Sequence, residues 1–175
     1  MINLEKKAET KEVSIRNVHD KTDLLVDIFE AFVIDDRDVL KPHYGPNYYF
    51  IKVWINEAEQ YGTSVVKGFK GRSIIVNQGI QIPLESSSKY LYVEVLKGCS
   101  FRDPGTSNGT VVMGRARITL PPPFSHGWIT GVFDLVGFKS GGGVDSDLCL
   151  VKKGTIKIAM KLRHMRNHRE IVPSG

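Results

Sequence analysis

With 175 residues, 41% of them apolar, the chain can bury one compact core, and its 24 Lys and Arg against 19 Asp and Glu leave a net charge of +5. It has no run of apolar residues long enough to span a bilayer, and its N-terminal stretch MINLEKKAETKE is charged where a signal peptide is apolar. The expectation is therefore a cytoplasmic chain, neither inserted nor secreted. Its two cysteines, Cys99 and Cys149, lack the spacing of a zinc ribbon or a disulfide framework and read as reduced structural thiols.

Residues 1–21 are a charged N-terminal extension with one candidate strand, Glu12–Val18. From there apolar residues recur with a period near two, in short runs broken by Gly, Pro, Asn and Ser, which is the pattern of strands. Asp23–Val33 is apolar on both faces, with Leu25, Phe29, Ala31 and Val33 on one side and Leu24, Val26, Ile28 and Phe32 on the other, as a central strand would be. Tyr48–Ile55 is aromatic and β-branched. Short strands are predicted at Ser64–Val66, Arg72–Val76 and Gly79–Leu84, with turns at Gly71 and at Asn77-Gln78-Gly79.

Tyr90–Leu96 alternates, with Leu91, Val93 and Val95 together on one face. Val111–Leu120 places Val112, Ala116, Ile118 and Leu120 inward and Arg115, Arg117 and Thr119 outward; Pro121-Pro122-Pro123 ends it, because proline has no N–H for a ladder. Trp128–Val136 and a Gly141-Gly142-Gly143 connection follow. The last strand, Thr155–Met165, turns Ile156, Ile158, Met160 and Leu162 to the core and Lys157, Lys161 and Arg163 to solvent. The fold class predicted is an all-β, eight-stranded antiparallel β-sandwich over residues 22–165, followed by a basic tail, 166–175.

The positive charge is unevenly placed. Residues 150–175 carry seven Lys or Arg (Lys152, Lys153, Lys157, Lys161, Arg163, Arg166 and Arg169) against Glu170, whereas the first 149 residues sum to −1. A second basic group is Lys67, Lys70 and Arg72. Such clusters attract polyanions. Nucleic acid is the less favoured partner, because no aromatic residues interleave with the basic ones after Gly154 to stack on bases.

Enzymatic chemistry has little support. No GxSxG elbow occurs, the glycine triplet lacks the Lys-Ser or Lys-Thr of a phosphate loop, and His164 and His168 sit among cations that discourage a metal. Asp35, Asp36 and Asp38 crowd one loop. They are a candidate Ca²⁺ site, or a solvated loop offset by Arg37 and Lys41.

The order of the pieces is the most informative feature. LLVDIFEAFVI leads to DDRD, then PNYYFIKVWI, YLYVEVL, VVMGRARITLPPP, FDLV and GTIKIAMKL. Over residues 22–163 this resembles a C2 domain, most of all the small single-C2 proteins of plants. Three stretches carry the likeness: Asn47-Tyr48-Tyr49, Met113-Gly114-Arg115-Ala116 and Phe133-Asp134-Leu135. The resemblance implies a sandwich whose loops at one end meet phospholipid headgroups, often through Ca²⁺. It also implies a basic concave face, onto which Lys52, Lys67, Lys70 and Arg72 fall as lipid-binding residues, with Tyr44, Phe69 or Phe101 as apolar wedges.

The ligand set that the resemblance implies is incomplete here. Asp35, Asp36 or Asp38 supplies the first loop, Asn47 replaces the second acid, Lys97 stands near the place of a third, and Asp103 remains. Calcium is expected to bind weakly and not to be required. The function expected is a non-enzymatic module, peripherally membrane-associated, docking on anionic phospholipid membranes or on a protein partner in signalling. By family analogy alone, that signalling belongs to plant stress or defence. The alternatives are an adaptor without membrane binding and Ca²⁺-dependent lipid binding through the Asp35–Asp38 loop.

Overall fold

A computed structural model describes residues 21–35, 45–85, 87–98, 110–138 and 149–165. The candidate strand Glu12–Val18, the glycine triplet, the basic tail, Cys99, Tyr44, Phe101, His168, Asp36, Asp38 and Asp103 lie outside the described residues. The strands are β1 (Lys21–Val33), β2 (Asn47–Trp54), β3 (Gln60–Gly62), β4 (Val66–Gly68), β5 (Ile74–Leu84), β6 (Tyr90–Gly98), β7 (Val111–Thr119), β8 (Ile129–Phe138) and β9 (Leu150–Met165). Among the described residues no helix is long and apolar enough to cross a membrane.

All pairings are antiparallel, in the order β3-β2-β6-β7-β8-β9-β1-β5, with β4 also on β2. The path thins to one bridge, Arg115 opposite Val136, between β7 and β8. That seam divides it into two layers, β3/β4-β2-β6-β7 and β8-β9-β1-β5, whose inner faces meet in one core. β3 and β4 are two halves of a single edge strand. β3 pairs with Lys52–Trp54 and β4 with Asn47–Tyr49, while at the break the Thr63 N–H donates to the Ile51 carbonyl at 2.9 Å and the Ile51 N–H to Thr63 Oγ1 at 3.0 Å. Nine segments thus fill eight strand positions, and the expected sandwich is the observed one.

Alternation builds the core where it is unbroken. Leu91, Val93 and Val95 on β6, beside Tyr49, Ile51 and Val53 on β2, and Ile156, Ile158, Met160 and Leu162 on β9 in the other layer are all buried in one core. The predicted faces of the other long strands need correction, and the cause is the same each time: a bulge that inserts one residue and reverses the phase. On β1 the register slips at Phe29, so Leu24, Val26 and Ile28 face inward before it and Ala31 and Val33 after it, and Phe32 is turned out. On β7 the extra residue is Met113, which is buried while Val112 is exposed.

The turn predicted at Asn77-Gln78-Gly79 does not reverse the chain. Asn77 takes φ 47° as a bulge within β5, which runs unbroken from Ile74 to Leu84. On β9 the shift falls at Lys153, which is buried. The next residue, Gly154, has φ 150°, and a Cβ there would collide with the Phe32 carbonyl of β1. Cys149, just before β9, is a free thiol as expected, but it is exposed and packs in no core.

Gly154→Ala is expected to cost about 3 kcal/mol or more in urea unfolding, because both the dihedral and the β1 backbone resist the methyl group. Gly71→Ala, at φ 72° but facing open space, should cost only about 1 kcal/mol. Equal losses for the two would show that the close approach of β9 to β1 is unimportant.

Candidate functional site

With Tyr49, Ile51 and Val53 committed to the core, the pleat of β2 turns Tyr48, Phe50, Lys52 and Trp54 onto the outer face of its layer. Antiparallel register then sets rows across that face. Lys67 on β4 lies opposite Tyr48. Lys52 lies opposite Glu94 on β6, and Glu94 opposite Arg115 on β7. Trp54 lies opposite Tyr92, and Tyr92 opposite Arg117.

The contacts follow from these rows. The Arg115 Nε donates to Glu94 Oε2 at 2.6 Å, the Trp54 and Tyr92 rings stack with centroids 6.0 Å apart, and the Arg117 guanidinium lies 4.8 Å above the Tyr90 ring. Four cationic side chains therefore share a face with aromatic rings, and the carboxylate set among them, Glu94, is buried against Arg115. At the edge of this layer burial, together with the Glu59 carboxylate 3.5 Å away, pushes the Tyr61 phenol above its ordinary range.

The four basic residues expected to bind lipid do not form one compact patch. Lys52 stands in the middle of the face. Lys67 stands near its end, about 13 Å further along β2 at ~3.3 Å per residue. Lys70 and Arg72 belong to the β4–β5 turn, where the Arg72 N–H donates to the Phe69 carbonyl at 3.1 Å and Phe69 is half exposed. Lys67 links the face to that tip. Arg115 and Arg117 were not among the expected lipid-binding residues. Their outward alternation on the seventh run was the available signal, but only pairing with β6 sets them beside Lys52.

Among the described residues of the C-terminal basic run, Arg163 and Lys152 are ion-paired with acids of neighbouring strands. Arg163 Nη2 donates to the buried Asp23 carboxylate at 3.0 Å, Gln81 Nε2 donates to the same oxygen at 2.6 Å, and Lys152 pairs with Asp134 at 2.6 Å. Lys157 lies opposite Glu30, its ammonium 5.8 Å from the Phe29 ring, and Lys153 is buried. His164 Nδ1 is 3.0 Å from Thr22 Oγ1.

Of the five candidate calcium ligands, Asp35 and Asn47 lie within the described residues. Asn47 opens β2 opposite Gly68. The Asp35 carboxylate, nearly buried, takes a hydrogen bond from the Lys97 ammonium at 2.8 Å. Ca²⁺ takes six to eight oxygens, and among the described candidates the one carboxylate is paired with a lysine. Among the described residues no three His, Cys, Asp or Glu side chains converge as metal ligands.

No family model and no curated protein matches this sequence. Solved structures do match. A C2 domain-containing protein from an elicitor-responsive gene superposes with a TM-score of 0.53 at 19% identity, over 84% of this chain and 92% of that one. The fold is that of a C2 domain. Human GIVD cytosolic phospholipase A2, solved with methyl γ-linolenyl fluorophosphonate, gives a TM-score of 0.56 at 10% identity over 83% of this chain but 17% of its own. CC2D1B, which coordinates ESCRT-III activity during mitotic reformation of the nuclear envelope, gives 0.51 at 12% identity over 80% of this chain and 54% of its own. At these identities the fold is what is shared.

Within the C2 fold the three stretches that carried the resemblance take definite places. Asn47-Tyr48-Tyr49 opens β2, Met113–Ala116 spans the bulge of β7, and Phe133-Asp134-Leu135 lies on β8 beside β9.

Lys97→Met is expected to lower stability by about 3 kcal/mol, since it removes the ammonium that pairs with the nearly buried Asp35 carboxylate. Adding Asp35→Leu should recover most of that loss in a double-mutant cycle. If Lys97→Met unfolds like the parent, the pair is energetically idle.

Proposed function

We propose that this C2-fold chain is a non-enzymatic module that docks reversibly on anionic phospholipid membranes through the outer face of β4-β2-β6-β7 and the adjoining β4–β5 tip. The observation that supports this most is the sharing of one exposed sheet face by Lys52, Lys67, Arg115 and Arg117, continuous with Lys70 and Arg72. Basic residues near an anionic surface contribute about 1 kcal/mol each within a Debye length, so several together suffice for reversible docking. The aromatic rings beside them suit the interfacial zone, where one part of a side chain is apolar and another wet. Phe69, between Lys67 and Lys70, is the apolar wedge of the tip.

Calcium is not required in this reading. The Lys97 ammonium pairs with Asp35 and would repel a nearby Ca²⁺ ion, so any ion held by the loop acids would be bound weakly. The C-terminal basic strand plays the smaller part, because Asp23 and Asp134 already pair with it. The cellular role that fits is recruitment to a membrane in signalling, with a peripheral, cytoplasmic location. A role in plant stress or defence rests on the resemblance and on the elicitor-responsive neighbour alone. A protein-binding role for the same aromatic strand, Tyr48–Trp54, is the second reading, favoured by the half-buried Trp54–Tyr92 stack.

Liposome co-sedimentation tests the proposal. Binding should need acidic lipid, fade as salt rises and persist in chelator. Replacing Lys67, Lys70 and Arg72 together by Ala should weaken it at least about tenfold, and Arg115→Ala with Arg117→Ala should weaken it comparably. Vesicles ignored in chelator but bound once millimolar calcium is added would overturn it.

A further inference from the structure

The end of the sandwich opposite the β4–β5 tip holds the start of β1, the end of β9 and the β5–β6 and β7–β8 connections. A groove of about 580 Å³ opens there, with Leu84, Tyr90, Leu120, Leu162 and Pro121–Pro123 as its apolar walls. Beside it, Phe124 is 88% exposed. Its position is built: the Ser125 N–H donates to the Pro122 carbonyl at 2.9 Å, closing a turn with Pro123 and Phe124 as its central residues, and proline at the first of these holds φ in advance. The Leu120 N–H donates to the Lys89 carbonyl at 3.0 Å, tying this loop to the β5–β6 connection. The turn thus carries the phenyl ring away from the neighbouring groove and presents it to solvent.

We propose that this end is a self-association surface, in which Phe124 of each molecule enters the groove of a second copy of the same chain. A two-fold contact requires one patch that carries both knob and hole, and here a single loop supplies Phe124 and the proline wall. The charges are self-complementary as well. Glu85 and Lys89 both line the groove, so a two-fold approach sets Glu85 of one copy against Lys89 of the other. Trp128, Ile129 and Met165, each more than a third exposed, add apolar surface at the same end. A bilayer is a poorer occupant, because it would have to desolvate Glu85 without a partner. Pairing here leaves the cationic face of both copies open to solvent.

Sedimentation equilibrium of the full chain, from about 1 μM to 1 mM, tests the proposal directly. The parent should pass from monomer to dimer with concentration. Phe124→Ser, at a solvent-exposed position, should weaken dimerisation at least about tenfold for each ring withdrawn. Glu85→Lys should weaken it too, and the double variant Glu85→Lys/Lys89→Glu should restore it, which a merely destabilised fold would not do. A parent that stays monomeric to 1 mM, or a Phe124→Ser variant that dimerises like the parent, would overturn the proposal. So would a monomeric parent whose vesicle binding is lost on Phe124→Ser, since the ring would then be a membrane anchor.

Discussion

The pairing of the first strand with the last is the constraint on which the rest depends. β1 and β9 run antiparallel from Lys21 opposite Met165 to Val33 opposite Gly154, bringing together residues that begin and end the described domain. Every other part of the β8-β9-β1-β5 layer hangs on that ladder, and its inner face supplies Leu24, Val26, Ile28, Ile156, Ile158 and Met160 to the core. Such contacts are distant in sequence, so their closure entropy is met late in folding and is offset mainly by the apolar surface they bury. The absence of a Cβ at Gly154 is part of the same constraint, because the β1 backbone passes where that atom would be.

The bulges explain how a uniform strand pattern makes a molecule with two unlike ends. The phases of β1, β5, β7 and β9 each change once, at Phe29, Asn77, Met113 and Lys153. Phe29 and Asn77 lie at one level, between the pairs Ile28–Gln78 and Glu30–Ile75, and Met113 and Lys153 lie near the starts of their strands. Beyond these points the strands twist more strongly and their side chains are re-aimed. Ile34, Val112, Phe138 and Leu150 become exposed there, while Asp35 and Lys97 turn toward each other. The opposite end keeps its alternation, so Leu84, Leu120 and Leu162 converge without a change of phase.

Electrostatics divides the basic residues into two groups that composition cannot separate. On the β8-β9-β1-β5 layer, acids on adjacent strands meet the cations of β9. Asp23 is bonded to both Arg163 and Gln81, which compensates a carboxylate removed from water. On the outer face of the other layer four cations stand around Glu94 and a set of aromatic rings. The first arrangement pairs Arg163 and Lys152 with acids of its own layer, whereas the second leaves a net positive field directed outward. This difference favours the β2-β6-β7 face over the C-terminal strand as the surface that meets a polyanion.

Much of the architecture was legible in local pattern. Period-two alternation, the proline triplet and the order of the runs sufficed for an antiparallel sandwich and for the C2 resemblance. The inward residues of β6 and β9 were readable because those strands keep one phase through the core. Local pattern could not supply the register. Whether Phe29 or Met113 is an extra residue depends on the strand hydrogen-bonded beside it, and a one-residue slip exchanges every face that follows. Register also decided that Arg115 and Arg117 stand with Lys52, that Lys70 and Arg72 belong to a tip, and that Arg163 and Lys152 are already paired. Sequence alone determined which charges the chain carries; the tertiary structure decided which of them it neutralises, because ion pairing depends on distances between strands far apart along the chain.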